Sequence, residues 1–95
     1  MNIDTRNTKR HIKDMAPKIA LARIEMYKIP SPYSDVLVAV CVERKSMFAA
    51  EYALREKGMS MSQRTLSRVL KTGLDMFGKS DGVITTESRQ EILFV

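Results

Sequence analysis

Apolar positions recur at helical spacing through most of the chain and change period towards its end. Ile19, Leu21, Ala22, Ile24, Met26 and Tyr27 predict a helix over 14–29 that is apolar across a broad arc. Asp14 stands where its N-cap belongs, Pro17 falls in the first turn, and Ile29-Pro30-Ser31-Pro32 stops it. A second helix is expected from Ser31 or Ser34 through the apolar run Val36–Val42 to Lys45. The β-branched residues of that run leave a buried strand as the alternative. Ser46 caps a third helix over Met47–Lys57, with Met47, Ala50, Ala53 and Leu54 inward, and Gly58 ends it as a left-handed residue.

Ser60-Met61-Ser62-Gln63 has the form of a capping box, with Ser60 as cap and Gln63 three residues later. It opens a fourth helix over 61–72 with Leu66, Val69 and Leu70 inward and Gly73 as its stop. The period then shortens. Leu74-Asp75-Met76-Phe77 and Val83-Ile84-Thr85-Thr86 read as strands joined by Gly78-Lys79-Ser80-Asp81-Gly82, a hairpin over 74–86. Thr85 or Thr86 can cap a last helix, and continuation of the sheet to Val95 is the competing reading. Residues 1–13 are polar and read as a flexible basic arm, which leaves 14–95 as one domain.

Charge adds two addresses to this layout. The 95 residues carry a formal +5, and residues 1–30 hold seven cations against three acids. From Met59 to Leu74 there is no acid, while Arg64, Arg68 and Lys71 stand at i, i+4 and i+7 on one helix face, with Gln63 and Ser67 beside them. A solvated polar face is the plain alternative; the missing acids favour a binding surface.

Two helices, a glycine-containing turn, a basic helix, a glycine-tipped hairpin and a Thr-capped segment together resemble the winged helix-turn-helix family. The resemblance covers about Ser31 to Leu93. Its most telling stretches are Leu70-Lys71-Thr72-Gly73-Leu74, like a recognition helix passing into a first wing strand, and Asp81-Gly82-Val83-Ile84-Thr85-Thr86-Glu87, like a second strand running into a closing helix. The layout is also similar to the N-terminal domain of a phage middle-promoter activator. The connection from Gly58 to Ser62 is longer than a compact helix-turn-helix uses, which fits the winged type better. The fold class expected is therefore mainly α with a small β-hairpin, preceded by an arm and an extra helix, with another helical bundle as the alternative.

The resemblance implies a small transcriptional regulator that places helix 61–72 in the major groove of double-stranded DNA, with hairpin 74–86 as wing. Gln63 and Arg64 would reach base edges, and Arg68 and Lys71 phosphates, with Ser60, Ser62, Thr65 and Ser67 offering hydroxyls. Lys79 and Ser80 would touch DNA from the wing; Arg6, Lys9, Arg10 and Lys13 would follow it as an arm. The broad apolar arc of 14–29 suggests a homodimer through that helix. The other function class is a protein-interaction module that docks the basic face on an acidic host protein.

Several classes are set aside. The apolar run Val36–Val42 is far shorter than the roughly 20 residues that span a membrane, and the first residues lack a secretory layout, so a cytoplasmic protein is expected, nucleoid-associated if it binds DNA. Cys41 is the single cysteine and His11 the single histidine, which gives neither a disulfide nor a zinc spacing. The acids are scattered singly and no phosphate loop is present, so no catalytic residue, metal or cofactor is assigned and an enzyme is not expected.

Overall fold

The run Val36–Val42 is buried on nearly every side, and that makes it a helix at the centre of the fold. The structure is a computed structural model that describes residues 5–82, and among them every regular element is helical. Helices α1 (Thr5–Asp14), α2 (Pro17–Met26), α3 (Tyr33–Leu37), α4 (Met47–Glu56) and α5 (Gln63–Asp81) follow in order, and α3 runs on into a π-helical turn, Val38–Val42. Val36, Leu37, Ala39, Val40 and Cys41 are all buried. The π turn touches α1, α2 and α4, while α3 packs on α4 and α5. An element apolar all round belongs inside a helical cluster, so the strand alternative for 36–42 is set aside.

Local signals fixed several boundaries. Pro17 opens α2 after an extended Ala16. Asp14, expected as its cap, is instead the last residue of α1. The helix expected over 14–29 spans only Pro17–Met26. Its end is closed by Lys28 in the left-handed region (φ 55), with the Ile29 N–H reaching back to Ile24 O. Ser46 accepts from the Ala49 N–H and caps α4, and Gly58 (φ 85) lets the Met59 N–H return to Leu54 O. For α5 the cap is Ser62, which accepts from the Thr65 N–H; Ser60 lies two residues outside the helix and does not play that part.

Two expectations are corrected. The first concerns the wing: Gly73 does not stop the helix and 74–82 does not form a strand and hairpin tip. Helix α5 continues through Gly73 and Gly78 and is closed by Gly82 (φ 70), whose N–H bonds Gly78 O. Leu66, Leu70, Leu74 and Phe77 line one buried stripe. A helical glycine costs about 1 kcal/mol relative to alanine, whereas full burial of a Leu or Phe contributes about 1.5–3 kcal/mol, so Leu74 and Phe77 outweigh Gly73 and Gly78. Both glycines mark close approaches. A Cβ on Gly73 would lie 3.2 Å from Leu37 Cγ and 3.3 Å from Tyr33 O of α3, and one on Gly78 would lie 3.0 Å from Thr8 Oγ1 of α1. The fold is all-helical among the described residues; the strand placed at 83–86 and the closing segment after it lie outside them.

The second correction concerns the arm. Thr5–Asp14 is a helix, and Thr8 and Ile12, one turn apart, are each 1% exposed. Ile12 helps close the core over α5 and the π turn, so this stretch is a docked wall of the domain.

Candidate nucleic-acid interface

Once α1 is helical, its cations fall into line. Arg6, Lys9, Arg10 and Lys13 stand at i, i+3, i+4 and i+7 and therefore share one face, opposite the side that docks. The docked side sets the register against α5. Thr8 faces Gly78, and His11 Nε2 lies 2.6 Å from Asp81 Oδ2, both pairs separated by the same 70 positions. The two helices therefore run parallel, with α1 alongside the C-terminal half of α5.

Asp81 is the anchor of that arrangement. Its side chain is 5% exposed and accepts from His11, from Arg23 Nη1 at 3.1 Å to each carboxylate oxygen, and from the Tyr27 hydroxyl. Burial alone would raise its pKa, but the Tyr27 and His11 hydrogen bonds and the Arg23 charge outweigh burial and hold the carboxyl below the ordinary value. The same hydrogen bond to Asp81, with burial, pushes the Tyr27 phenol up. Tyr27 also sets its ring edge-on to Phe77, with centroids 5.5 Å apart. One carboxylate thus ties α1 and α2 to the end of α5.

Helix α5 carries Arg64, Ser67, Arg68 and Lys71 exposed on its outer flank. Between this flank and the start of α1 runs a groove with Leu70 and Leu74 in its floor and Arg6, Lys9, Ser67 and Lys71 along its sides. Arg6 and Lys9 also line a second recess with Arg10, Lys13, Asp14 and Arg44. Arg44 is delivered there by a left-handed backbone (φ 56), and its guanidinium donates to Lys13 O at 2.5 Å. The two recesses share residues, so the cationic surface is continuous from α5 across α1 to Arg44. Among the described residues, Asp81 pairs with His11 and Arg23, Glu43 with Lys45, Glu51 with Arg55, and Asp75 with Lys79. Lys9, Arg10, Lys13, Arg64, Arg68 and Lys71 form no ion pair with any described residue.

The chain matches no known family model, curated protein or solved structure. Its own geometry is what sorts the candidate residues. Arg64, Ser67, Arg68 and Lys71 share the α5 flank, and Arg10 and Lys13 join it through α1. Gln63 does not belong to that set. Its Nε2 donates to Met47 O at 3.2 Å and to Glu51 Oε1 at 2.5 Å, which commits it to the α4–α5 junction. Ser62 is occupied as the cap of α5, also donating to Thr65 Oγ1 at 3.1 Å, while Ser60 stays exposed in the preceding connection. Lys79 and Ser80 sit near the end of α5 rather than on a hairpin tip, and Lys79 pairs with Asp75 at 3.1 Å.

Sequence reasoning missed Arg44, the Asp81 cluster and the exposed aromatic pair Phe48 and Tyr52 of α4, which are 78% and 63% exposed. For α1 the signal was present in the i, i+3, i+4, i+7 spacing of its cations. For Asp81 no local signal exists, because its partners lie 54 to 70 residues away. Cys41 is buried, and burial, only partly offset by Lys9 and Lys13, pushes its thiol up to about 11. No group of metal-ligating side chains occurs among the described residues, and no described helix is long and apolar enough to cross a membrane.

Proposed function

We propose that this protein is a small DNA-binding regulator that holds double-stranded DNA against the cationic flank formed by α5 and α1. The observation that carries this reading is the un-neutralised row of Lys9, Arg10, Lys13, Arg64, Arg68 and Lys71 on two parallel helices. Cations held on rigid helices and left without an ion-pair partner are the electrostatic footprint of a phosphate-binding surface. Pairing of two chains through α2 belongs to the same reading. It draws on Ile19, Leu21 and Met26, which that helix leaves 49%, 40% and 65% exposed.

The test is titration of a labelled duplex with purified chain at low and moderate salt. The reading expects affinity to fall as salt rises, with log K against log salt sloping by about −0.9 for each phosphate contacted. Failure to retain duplex DNA at low salt ends it. A second reading, docking on an acidic host protein, is favoured by Phe48 and Tyr52, since exposed aromatics are enriched where proteins meet. It expects Phe48→Ala with Tyr52→Ala to abolish binding to an acidic partner, while neutralising Arg10, Lys13 and Lys71 leaves duplex affinity unchanged.

A further inference from the structure

We propose that the recess between α1 and Arg44 binds a free oligophosphate, a compact anion in which two or more phosphates are joined directly. The proposal goes beyond duplex binding and stands without it. Its ligand is a small molecule, and its site leaves out the cations of α5.

The recess has a volume of about 500 Å³, within the roughly 300–1,000 Å³ of small-molecule sites. It is lined by Arg6, Lys9, Arg10, Lys13, Asp14 and Arg44, five cations and one acid. The acid, Asp14, forms no ion pair with any described residue, and neither do Lys9, Arg10, Lys13 and Arg44. Lys9 and Lys13 stand one turn apart and are only partly exposed. They lie near enough to the π turn for their charge to oppose the burial of the Cys41 thiol. Both ammonium groups are therefore held against the protein, where solvent screens them less than at a fully exposed position.

Arg44 reaches the recess from a different part of the chain. It follows the π turn with a left-handed backbone (φ 56), a conformation that favours glycine and strains an L-residue. Its guanidinium donates to Lys13 O at 2.5 Å, which fixes it beside the end of α1 and leaves other N–H groups of the fork for an anion. A strained residue that adds a cation to an already cationic recess stabilises neither its own backbone nor its neighbours' charge. Such strain marks positions kept for what the side chain binds.

Charge density selects the ligand. Cations gathered around one recess repel at short range, and directly linked phosphates are a compact group that answers several of them at once. Arginine meets phosphate oxygens through its planar fork and lysine as a point charge. A nucleic-acid backbone offers the same oxygens, but its phosphates are singly charged and spaced apart by sugars, so it answers fewer of the five cations within one recess.

The experiment is calorimetric titration of the full chain with inorganic phosphate, pyrophosphate and tripolyphosphate at low salt. It is repeated with Arg44→Gly, Arg10→Ala and Arg64→Ala, the fold of each variant checked by circular dichroism melting. One tripolyphosphate per chain is expected, bound about tenfold or more tightly than inorganic phosphate. Arg44→Gly and Arg10→Ala should each weaken it about tenfold, whereas Arg64→Ala, outside the recess, should leave it within about twofold. Arg10 is exposed, so its variant carries the test even where Arg44→Gly melts early. Equal weakening by Arg64→Ala and the two recess variants overturns the proposal, because the anion is then held by the net charge of the chain. Failure of tripolyphosphate to bind at low salt overturns it too, whatever a duplex does. A labelled duplex separates the two sources of phosphate. If Arg44→Gly weakens duplex binding while tripolyphosphate neither binds nor displaces the duplex, the recess belongs to nucleic-acid phosphates and the proposal is lost. Tripolyphosphate binding with the expected variant effects, in a chain that ignores duplex DNA, upholds the proposal and removes the duplex-binding reading.

Discussion

Thr8 and Gly78 meet without a methyl's width between α1 and α5. The Thr8 hydroxyl is buried, has no hydrogen-bond partner, and would stand 3.0 Å from a Cβ placed on Gly78. Gly78→Ala therefore sets two effects against each other. Alanine gains about 1 kcal/mol of helix propensity, and the clash with a side chain fixed close to the α1 backbone costs about 1–3 kcal/mol. Net destabilisation of about 1 kcal/mol is expected in chemical denaturation. In a Thr8→Ala background the clash and the unpaired hydroxyl both disappear, so the same substitution should become stabilising. Persistence of the penalty there would show that the contact does not set the packing.

Asp81→Asn removes the charge that His11, Arg23 and Tyr27 converge on. A loss of about 1–3 kcal/mol at neutral pH is expected, as for hydrogen bonds to a buried charged group. The sign with pH follows from the lowered pKa of Asp81. A carboxyl depressed in the folded state contributes stability above its unfolded pKa, near 4, and loses it as pH falls through the folded value. The stability difference between wild type and variant should shrink as pH falls below about 4. A difference that stays flat down to pH 2 contradicts this assignment.

Two left-handed residues give opposite expectations. Lys28 (φ 55) closes α2 without being glycine, whereas Gly58 (φ 85) closes α4. A left-handed conformation costs an L-residue about 1–2 kcal/mol, and glycine gives back about 0.5–1 kcal/mol through the unfolded chain. Lys28→Gly should thus raise stability by up to about 1 kcal/mol, and Gly58→Ala should lower it by about 1 kcal/mol. Thermal melts of the two variants should move in opposite directions.

Gln63→Ala separates a structural amide from a base-reading one. Because its Nε2 bonds Met47 O and Glu51, the substitution should lower stability by about 1 kcal/mol. Duplex affinity at a temperature where the chain stays folded should be unaltered. A change in base preference without loss of stability would place the side chain on DNA instead.

Cys41 should resist thiol reagents in the native protein. Its burial, and a pKa of about 11, keep the thiolate scarce at neutral pH. Labelling should be slow in buffer and complete within the dead time in denaturant; rapid native labelling would mean that the π turn opens readily.

The central helix and both ends of α4 were legible because their signals are local. Ser46 and Gly58 act where sequence places them, and Leu66 and Leu70 face inward as their spacing implies. What failed was glycine. Gly73 and Gly78 carry the same local mark as Gly58 and Gly82, and only the presence of Leu37, Tyr33 and Thr8 across the interface turns a stop signal into a packing position. Polar composition likewise concealed α1. Its cations were correctly grouped as basic, but a single isoleucine and a threonine seldom announce a buried face, and the burial of Thr8 depends on Gly78. Among the candidate residues, the α5 row was readable from spacing, whereas the role of Gln63 required knowing where Glu51 lies.

The docking of α1 ties the stability of the fold to whatever lies on its surface. The cations of α1 form like-charge pairs at i, i+3 and i, i+4 that each oppose helix formation by a few tenths of a kcal/mol. Thr8, Ile12 and His11 hold the helix in place against that repulsion. A polyanion laid along the flank would relieve that repulsion, so the binding proposed above would be thermodynamically linked to folding through α1.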